Sequence, residues 1–327
     1  MHSSTSSSTS SSTCCTPSWT HGSGIERGVV TSTSSPHTEP SDATAGNERR
    51  SLRTQFRRLF RRKVVLVGAL LFLFLLMIAV FADLIAPADP LYMNVRSRLA
   101  DPSMEAWLGT DHLGRDVASR LIHGARISLI AGFGAVVLST FVGVLVGLFA
   151  GYYRALDTVL MRVMDGLMSF PVILLAVALM AALGPTLFNV IFALSAVYAP
   201  RTARIVRSAV LGVKQLPYVE AAEAVGSRNG RIMVMHVLPN CMSPIIVQAT
   251  FIFAYAVQAE AALSFLGVGV PPSVPSWGSM LSEARLYMIQ APLLTIAPGL
   301  AIALTVLALN SIGDGLRDVL DPNYVDT

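Results

Sequence analysis

Lysine is almost missing from this 327-residue chain: Lys63, followed by Val64, and Lys214, followed by Gln215, are the only two. A phosphate-cradling Walker A loop needs a lysine directly before Ser or Thr. The chain therefore carries no such loop. Charge of either sign is scarce as well, at 13% of residues, against roughly 25% in soluble domains. Hydrophobic residues reach 53%. This balance excludes an ordinary soluble domain and points to a polytopic membrane protein. The three cysteines, Cys14, Cys15 and Cys241, show no spacing for a disulfide framework or a metal site. Net charge is only +4, so nucleic acid is not implied. His-Glu-x-x-His and Gly-x-Ser-x-Gly are absent. Gly313-Asp314 is only part of a Gly-x-Gly-Asp motif, because Ser311 takes the first Gly position. No enzyme is expected, and no catalytic or metal-binding residue is assigned.

What is present is a series of uncharged runs. Residues 1–52 form a Ser/Thr-rich leader without apolar periodicity, expected to be disordered. It lacks a basic region running directly into an apolar core, so a secretory signal is not expected. A start codon assigned too far upstream stays open as a second reading. Residues 53–82 join a basic stem to a first span, Val64 to Ala82, long enough to cross about 30 Å of hydrocarbon. Residues 83–126, with Pro87, Pro90 and Pro102, read as an extracytoplasmic loop. A second span runs from about Ile127 to Phe149.

The uncharged stretch Gly166–Pro200 breaks at Leu183-Gly184-Pro185-Thr186. It is too long for one helix and too short for two of about 20 residues. A third helix should therefore begin near Asp157, and a fourth should run past Arg201, Arg204 and Arg207. A polar insert at 217–240 follows, then a fifth span from about Ser243 to Leu266. A Pro/Ser/Gly-rich loop, Val268 to Gly278, leads to an amphipathic piece around Glu283 and Arg285. A sixth span, about Pro292 to Ile312, completes a membrane core over 127–314, with a tail at 315–327.

Six spans put both termini on one side. Of the 24 Lys and Arg, three (Arg27, Arg49 and Arg50) lie in the leader, fifteen lie on the N-terminal side, and six lie opposite (Arg96, Arg98, Arg115, Arg120, Arg126 and Arg285). The excess places both termini and the insert in the cytoplasm. Five of those six arginines fall in the external loop.

The insert begins with a good helix former, Tyr218 to Val225, placing Tyr218, Ala222 and Val225 near one face. Ala221 and Ala222 would let a partner surface approach closely. Gly226 can adopt the left-handed conformation that ends a helix, Asn229-Gly230 is a turn dipeptide, and Pro239 breaks the chain before the fifth span. Glu220-Ala221-Ala222, Gly226 and Leu238-Pro239 resemble the EAA loop of bacterial ABC importer permeases. His236 departs from the general pattern, although His-x-Leu-Pro-Asn fits the peptide-importer branch. Three further blocks resemble that branch: Leu108 to Arg120, Ala262 to Leu281, and Gly313 to Pro322.

The resemblance, covering about residues 55 to 322, implies an all-α membrane protein of the type I ABC importer permease fold: six transmembrane helices and a cytoplasmic EAA coupling loop at 217–240. It implies a C-type permease of the dipeptide, oligopeptide, nickel and glutathione importers, embedded in lipid of the inner membrane. Its partners would be a B-type permease, two ATP-binding subunits that hold ATP and Mg²⁺, and an extracytoplasmic solute-binding protein. This chain would hold no cofactor. Tyr218, Glu220, Ala221, Ala222, Gly226, Arg228, Leu238 and Pro239 would contact the ATPase.

Glu260 stands out as a carboxylate within a span, near Gln258. It lines the translocation pathway, with Gln258 and Asn310, or braces the outer gate; the alternative is a helix-packing hydrogen bond or snorkelling to the interface. Arg162 and Asp165 are placed to pair along one helix. Gly132, Gly143, Gly147 and Gly151 suit close helix packing. A secondary transporter or channel would need coupling charges within its spans, which are nearly uncharged apart from Glu260, and would leave the insert unexplained.

Overall fold

The structure, a computed structural model, describes residues 63–320, and its regular structure there is helical apart from one isolated bridge between Thr110 and Asp116. The leader (1–52), the basic stem up to Arg62 and the tail from residue 321 lie outside the described residues.

Helix α1 (Lys63–Val80) opens with the first uncharged run. Helix α2 (Val117–Tyr152) has 36 residues, about 54 Å at 1.5 Å per residue. It starts ahead of the expected Ile127, so the loop expected over 83–126 ends at residue 116. Asp116 makes this early start possible: its Oδ2 accepts the Ser119 N–H at 2.7 Å, satisfying a free donor of the first turn. Arg120 and Arg126 also meet carboxylates, so their charges do not end the helix.

Helix α3 (Arg154–Met168) and helix α4 (Val172–Leu183) meet at an angle of 93°. The expected third helix is therefore broken. Pro171 lacks an N–H and pushes Phe170 out of the helical region. Helix α5 (Leu187–Val213) is capped by Thr186, whose hydroxyl accepts the Asn189 N–H at 3.2 Å. It runs past Arg201, Arg204 and Arg207, as expected. Helix α6 (Pro217–Ala224), α7 (Met242–Phe265), α8 (Trp277–Ala284) and α9 (Leu293–Leu320) complete the helices of eight or more residues among the described ones, with shorter helical turns between them.

Among the described residues, α1, α2, α7 and α9 are each long and apolar enough to cross a membrane, and α3 with α4 passes the same test as a bent pair. Arginines fill the second half of α5. Length and composition thus single out four or five segments rather than six.

Helices α2 and α5 lie side by side on a glycine stripe. A Cβ at Gly143 would come within 2.5 Å of Thr202 Cβ, one at Gly147 within 2.5 Å of the Ala203 carbonyl, and one at Gly151 within 2.7 Å of Val210 Cβ. Small residues let the backbones close up where lipid supplies no hydrophobic drive. Gly132 plays the same part against Val257 and Phe253 of α7. A core with Ala135, Val190, Leu194, Ile252 and Ala256 joins α2, α5 and α7.

Candidate functional site

Pro217 occupies the first turn of α6, where its missing N–H has no cost. Val219 is fully buried against Leu148, Tyr152, Val206 and Val210 at the ends of α2 and α5. Ala222 packs beside it rather than sharing an outer face with Tyr218 and Val225. Tyr218, Glu220, Ala221, Gly226 and Arg228 are exposed or half-exposed, and Val225 is 86% exposed. Gly226 stands at φ +83°, its N–H bonded to the Glu223 carbonyl and the Ser227 N–H to the Ala222 carbonyl. This paired closure ends the helix in a Schellman motif, which favours glycine.

Asn229-Gly230 does not form the expected turn; it opens a short helix, Asn229–Ile232. Burial of Ile232 draws this segment onto the bundle. Leu238 is half-buried, and Pro239 sits near the start of a one-turn helix, Leu238–Asn240, so the break before α7 falls at Cys241. The Tyr152 hydroxyl donates to Glu223 at 3.2 Å, and Lys214 Nζ donates to the Tyr152 carbonyl at 3.1 Å while lying 4.9 Å from its ring centroid. The insert is thereby fastened to the ends of α2 and α5.

Arg162 and Asp165 do not pair. Asp165 accepts from Arg204 at 2.6 Å, and Asp157 accepts from Arg207 Nη2 at 2.6 Å. These bonds pin α3 to α5 across the bend that sequence spacing could not foresee.

At the opposite end, two blocks that are separate in sequence come together. Arg120 donates to Glu283 at 2.7 and 3.1 Å, Arg115 donates to Asp111 at 2.6 Å, and Arg115 also reaches Glu283. Arg120 further bonds Asp111. Gly114, at φ +73°, lets this loop pass the Asn94 carbonyl, which a Cβ at this position would overlap. Burial favours the neutral form of Asp111, but the Arg115 backbone N–H and the two guanidinium charges outweigh it and hold the carboxyl below its usual range. Arg126 donates to Asp83 at 2.9 Å. The arginines Arg115, Arg120 and Arg126 that weakened the charge count thus have local counter-ions. Asp111, His112 and Glu283 are near enough to share a cation, but two guanidiniums already neutralise the carboxylates.

Glu260 is fully buried. Ser128 and Ser264 each donate to it at 2.8 Å. Its carboxylate faces protein between α2 and α7, the geometry of a packing brace. Gln258 is exposed, and Asn310 on α9 is half-buried. The fully buried Glu260 shares no surface with them.

The family model of binding-protein-dependent transport system inner membrane components matches residues 143–326. The chain belongs to that family. A model of the N-terminal TM domain of oligopeptide transport permease C matches residues 51–102 of the permease. The dipeptide transport system permease protein DppC of Alkalihalophilus pseudofirmus is 44% identical over 271 residues, covering 83% of this chain and 89% of its own. The glutathione transport system permease protein GsiD of Pectobacterium atrosepticum is 44% identical over 269 residues, covering 82% and 89%. A chain of the inward-facing MetNI methionine ABC transporter shares 21% identity at a TM-score of 0.51, covering 61% of this chain and 96% of its own. That likeness speaks to fold alone. The permease is the membrane subunit of an ATP-driven importer, and neither an enzyme nor a secondary carrier.

Proposed function

We propose that the permease carries peptides inward through a path shared with a second, B-type permease, and that an ATPase grips residues 217–240 to drive it. The observation that carries this reading is the two-sided character of α6. Val219 is anchored among the ends of α2 and α5, while Tyr218, Glu220, Ala221 and Val225 face outward. Any push on this face would reach two long helices at once. Gly226 and Arg228 complete the contact, and Leu238 and Pro239 support it from the far end of the insert.

The six crossings are α1, α2, the bent pair α3–α4, α5, α7 and α9. Charge asymmetry and the local pairing of the external arginines support cytoplasmic termini. Helix α2 begins outside the membrane core: its 36 residues span about 54 Å against about 30 Å of hydrocarbon, so Arg120 and Arg126 stay on the external side of a core that begins near residue 127. The substrate class follows the relatives' names: dipeptides, oligopeptides or glutathione. An extracytoplasmic binding protein delivers the solute, and two ATPase subunits hold ATP and Mg²⁺. Gln258 and Asn310 belong to the pathway, with Glu260 bracing its outer wall.

Affinity purification from membranes of the native host tests the assembly. Recovery of a second permease and two ATPase polypeptides is expected. Recovery of this chain alone, transporting in liposomes without ATP, would sink the proposal.

A further inference from the structure

Arg201 lies inside α5, 14 residues from Leu187 and 12 from Val213, so about 21 and 18 Å from its ends. Among the described residues no carboxylate and no hydrogen-bond acceptor meets its guanidinium. Two aromatic faces hold it instead: the Tyr198 centroid at 5.7 Å and the Tyr255 centroid at 5.6 Å. Tyr198 is buried, and its hydroxyl donates to the Tyr255 carbonyl at 3.2 Å, fixing α5 to α7 at this level. Tyr255 is 39% exposed, and Arg201 itself is half-buried.

The neighbouring turns of α5 and α7 carry an exposed amide and a separate cleft. One turn outward from Tyr255, Gln258 is exposed. One turn from Arg201 on α5 and one turn from Tyr255 on α7, Ile205 and Phe251 open a cleft of about 730 Å³, with Ser243, Gln248 and Arg317 on its wall. A guanidinium at this depth cannot face lipid without a counter-ion except at high cost. It must face water or another polar group. Cation–π contact holds a guanidinium by its plane and leaves its N–H edges free, and those edges match a carboxylate in bidentate fashion.

We propose that Arg201, held between Tyr198 and Tyr255, is a carboxylate-binding point midway along the translocation path, and that its ligand is the C-terminal carboxylate of the transported peptide. The assignment rests on the peptide-import reading above. It extends that reading, because every linear peptide with a free C-terminus offers this group whatever its side chains.

The test uses the native host, deleted for this gene and complemented with the full chain or with Arg201→Cys or Arg201→Gln. Uptake of tritiated trialanine is measured, with immunoblots of each variant in the membrane. Both variants should reach the membrane at the normal level and import at least about tenfold more slowly, the scale of one charge-assisted contact. Methanethiosulfonate ethylammonium, which restores a positive charge, should recover uptake in Arg201→Cys, while the ethylsulfonate reagent should not.

Uptake within twofold of normal in both variants would overturn the inference alone. So would slow uptake with an introduced thiol that neither reagent reaches, because the guanidinium would then meet a carboxylate of the second permease. Failure of the unsubstituted permease to take up trialanine, dialanine and glutathione alike would instead remove the peptide-import reading itself, and the inference with it.

Discussion

Arg120 and Glu283 lie 163 residues apart and are joined by two hydrogen bonds, at 2.7 and 3.1 Å. Arg120 is 2% exposed at its side chain and also neutralises Asp111. The pair ties the start of α2 to α8, between the last two long helices. Removing one member of a buried pair costs about 3–5 kcal/mol when the other is left uncompensated; Arg115, which also bonds Asp111 and Glu283, keeps the cost of losing Arg120 toward the lower end. Arg120→Leu should lower the unfolding midpoint of the detergent-solubilised permease sharply. Replacing Arg115, Arg120, Asp111 and Glu283 together by apolar residues, which leaves no charge of the cluster unpaired, should recover part of that loss. A single variant as stable as the wild type would dismiss the latch.

The same cluster sets an acid limit. Asp111 is held below its ordinary value of 3.8 by its arginine neighbours. A depressed carboxyl adds stability that is complete above its unfolded pKa and is lost as pH falls through the folded one. This contribution should stay constant from pH 8 to about 5 and fade below about 4. Asp111→Asn should be less stable at neutral pH and show a flatter acid limb. Thermal melts across pH check this, and parallel acid limbs would refute it.

Close packing of α2 on α5 predicts a steric outcome. A side chain at Gly147 would strike the Ala203 carbonyl at 2.5 Å, a backbone atom that cannot swing aside. Gly147→Val should cost about 1–3 kcal/mol by overpacking. Gly166, with open space around it, should accept alanine without a measurable shift. Equal melting points for the two variants would contradict the glycine stripe.

Gly226 has open space on the side where a Cβ would stand, with nothing within 4 Å, yet its φ is +83°. A β-branched residue there is strained by conformation rather than by contact. Gly226→Val should leave the protein in the membrane while ATPase activity of the complex no longer drives uptake. Normal coupling in this variant would count against docking at α6.

Glu260→Gln should retain uptake, because an amide oxygen can still accept from Ser128 or Ser264. Glu260→Ala strands both hydroxyls and should cost about 1–3 kcal/mol. A severe transport defect in Glu260→Gln with normal stability would restore a role for the charge in the pathway.

Much of the α-helical plan is legible in the chain. The uncharged runs mark α1, α2, α7 and α9, and the polar insert with Gly226 marks a helix end, which the backbone forms at positive φ. The departures have a common source in charge pairing. A charged residue reads locally as the end of a helix, yet α2 passes through Arg120 and Arg126 because their carboxylate partners come from elsewhere in the chain. Arg162 and Asp165 stay apart for the same reason, since Arg204 on α5 takes Asp165. Arg201 reads as one more charge of a polar stem, and only its place between two tyrosines distinguishes it from its neighbours.

Read along the chain alone, the residues already imply a helical, membrane-embedded protein without a Walker A loop, built around a polar insert. Those properties follow from local composition and spacing, which act over a few residues. Tertiary structure alone decided which charges are neutralised, where α3 and α4 bend apart, that Ala222 turns inward, and that Arg201 meets no carboxylate among the described residues. Each of these depends on groups far apart in the chain meeting within a few ångströms, where removal from water makes a paired charge cheap and an unpaired one costly.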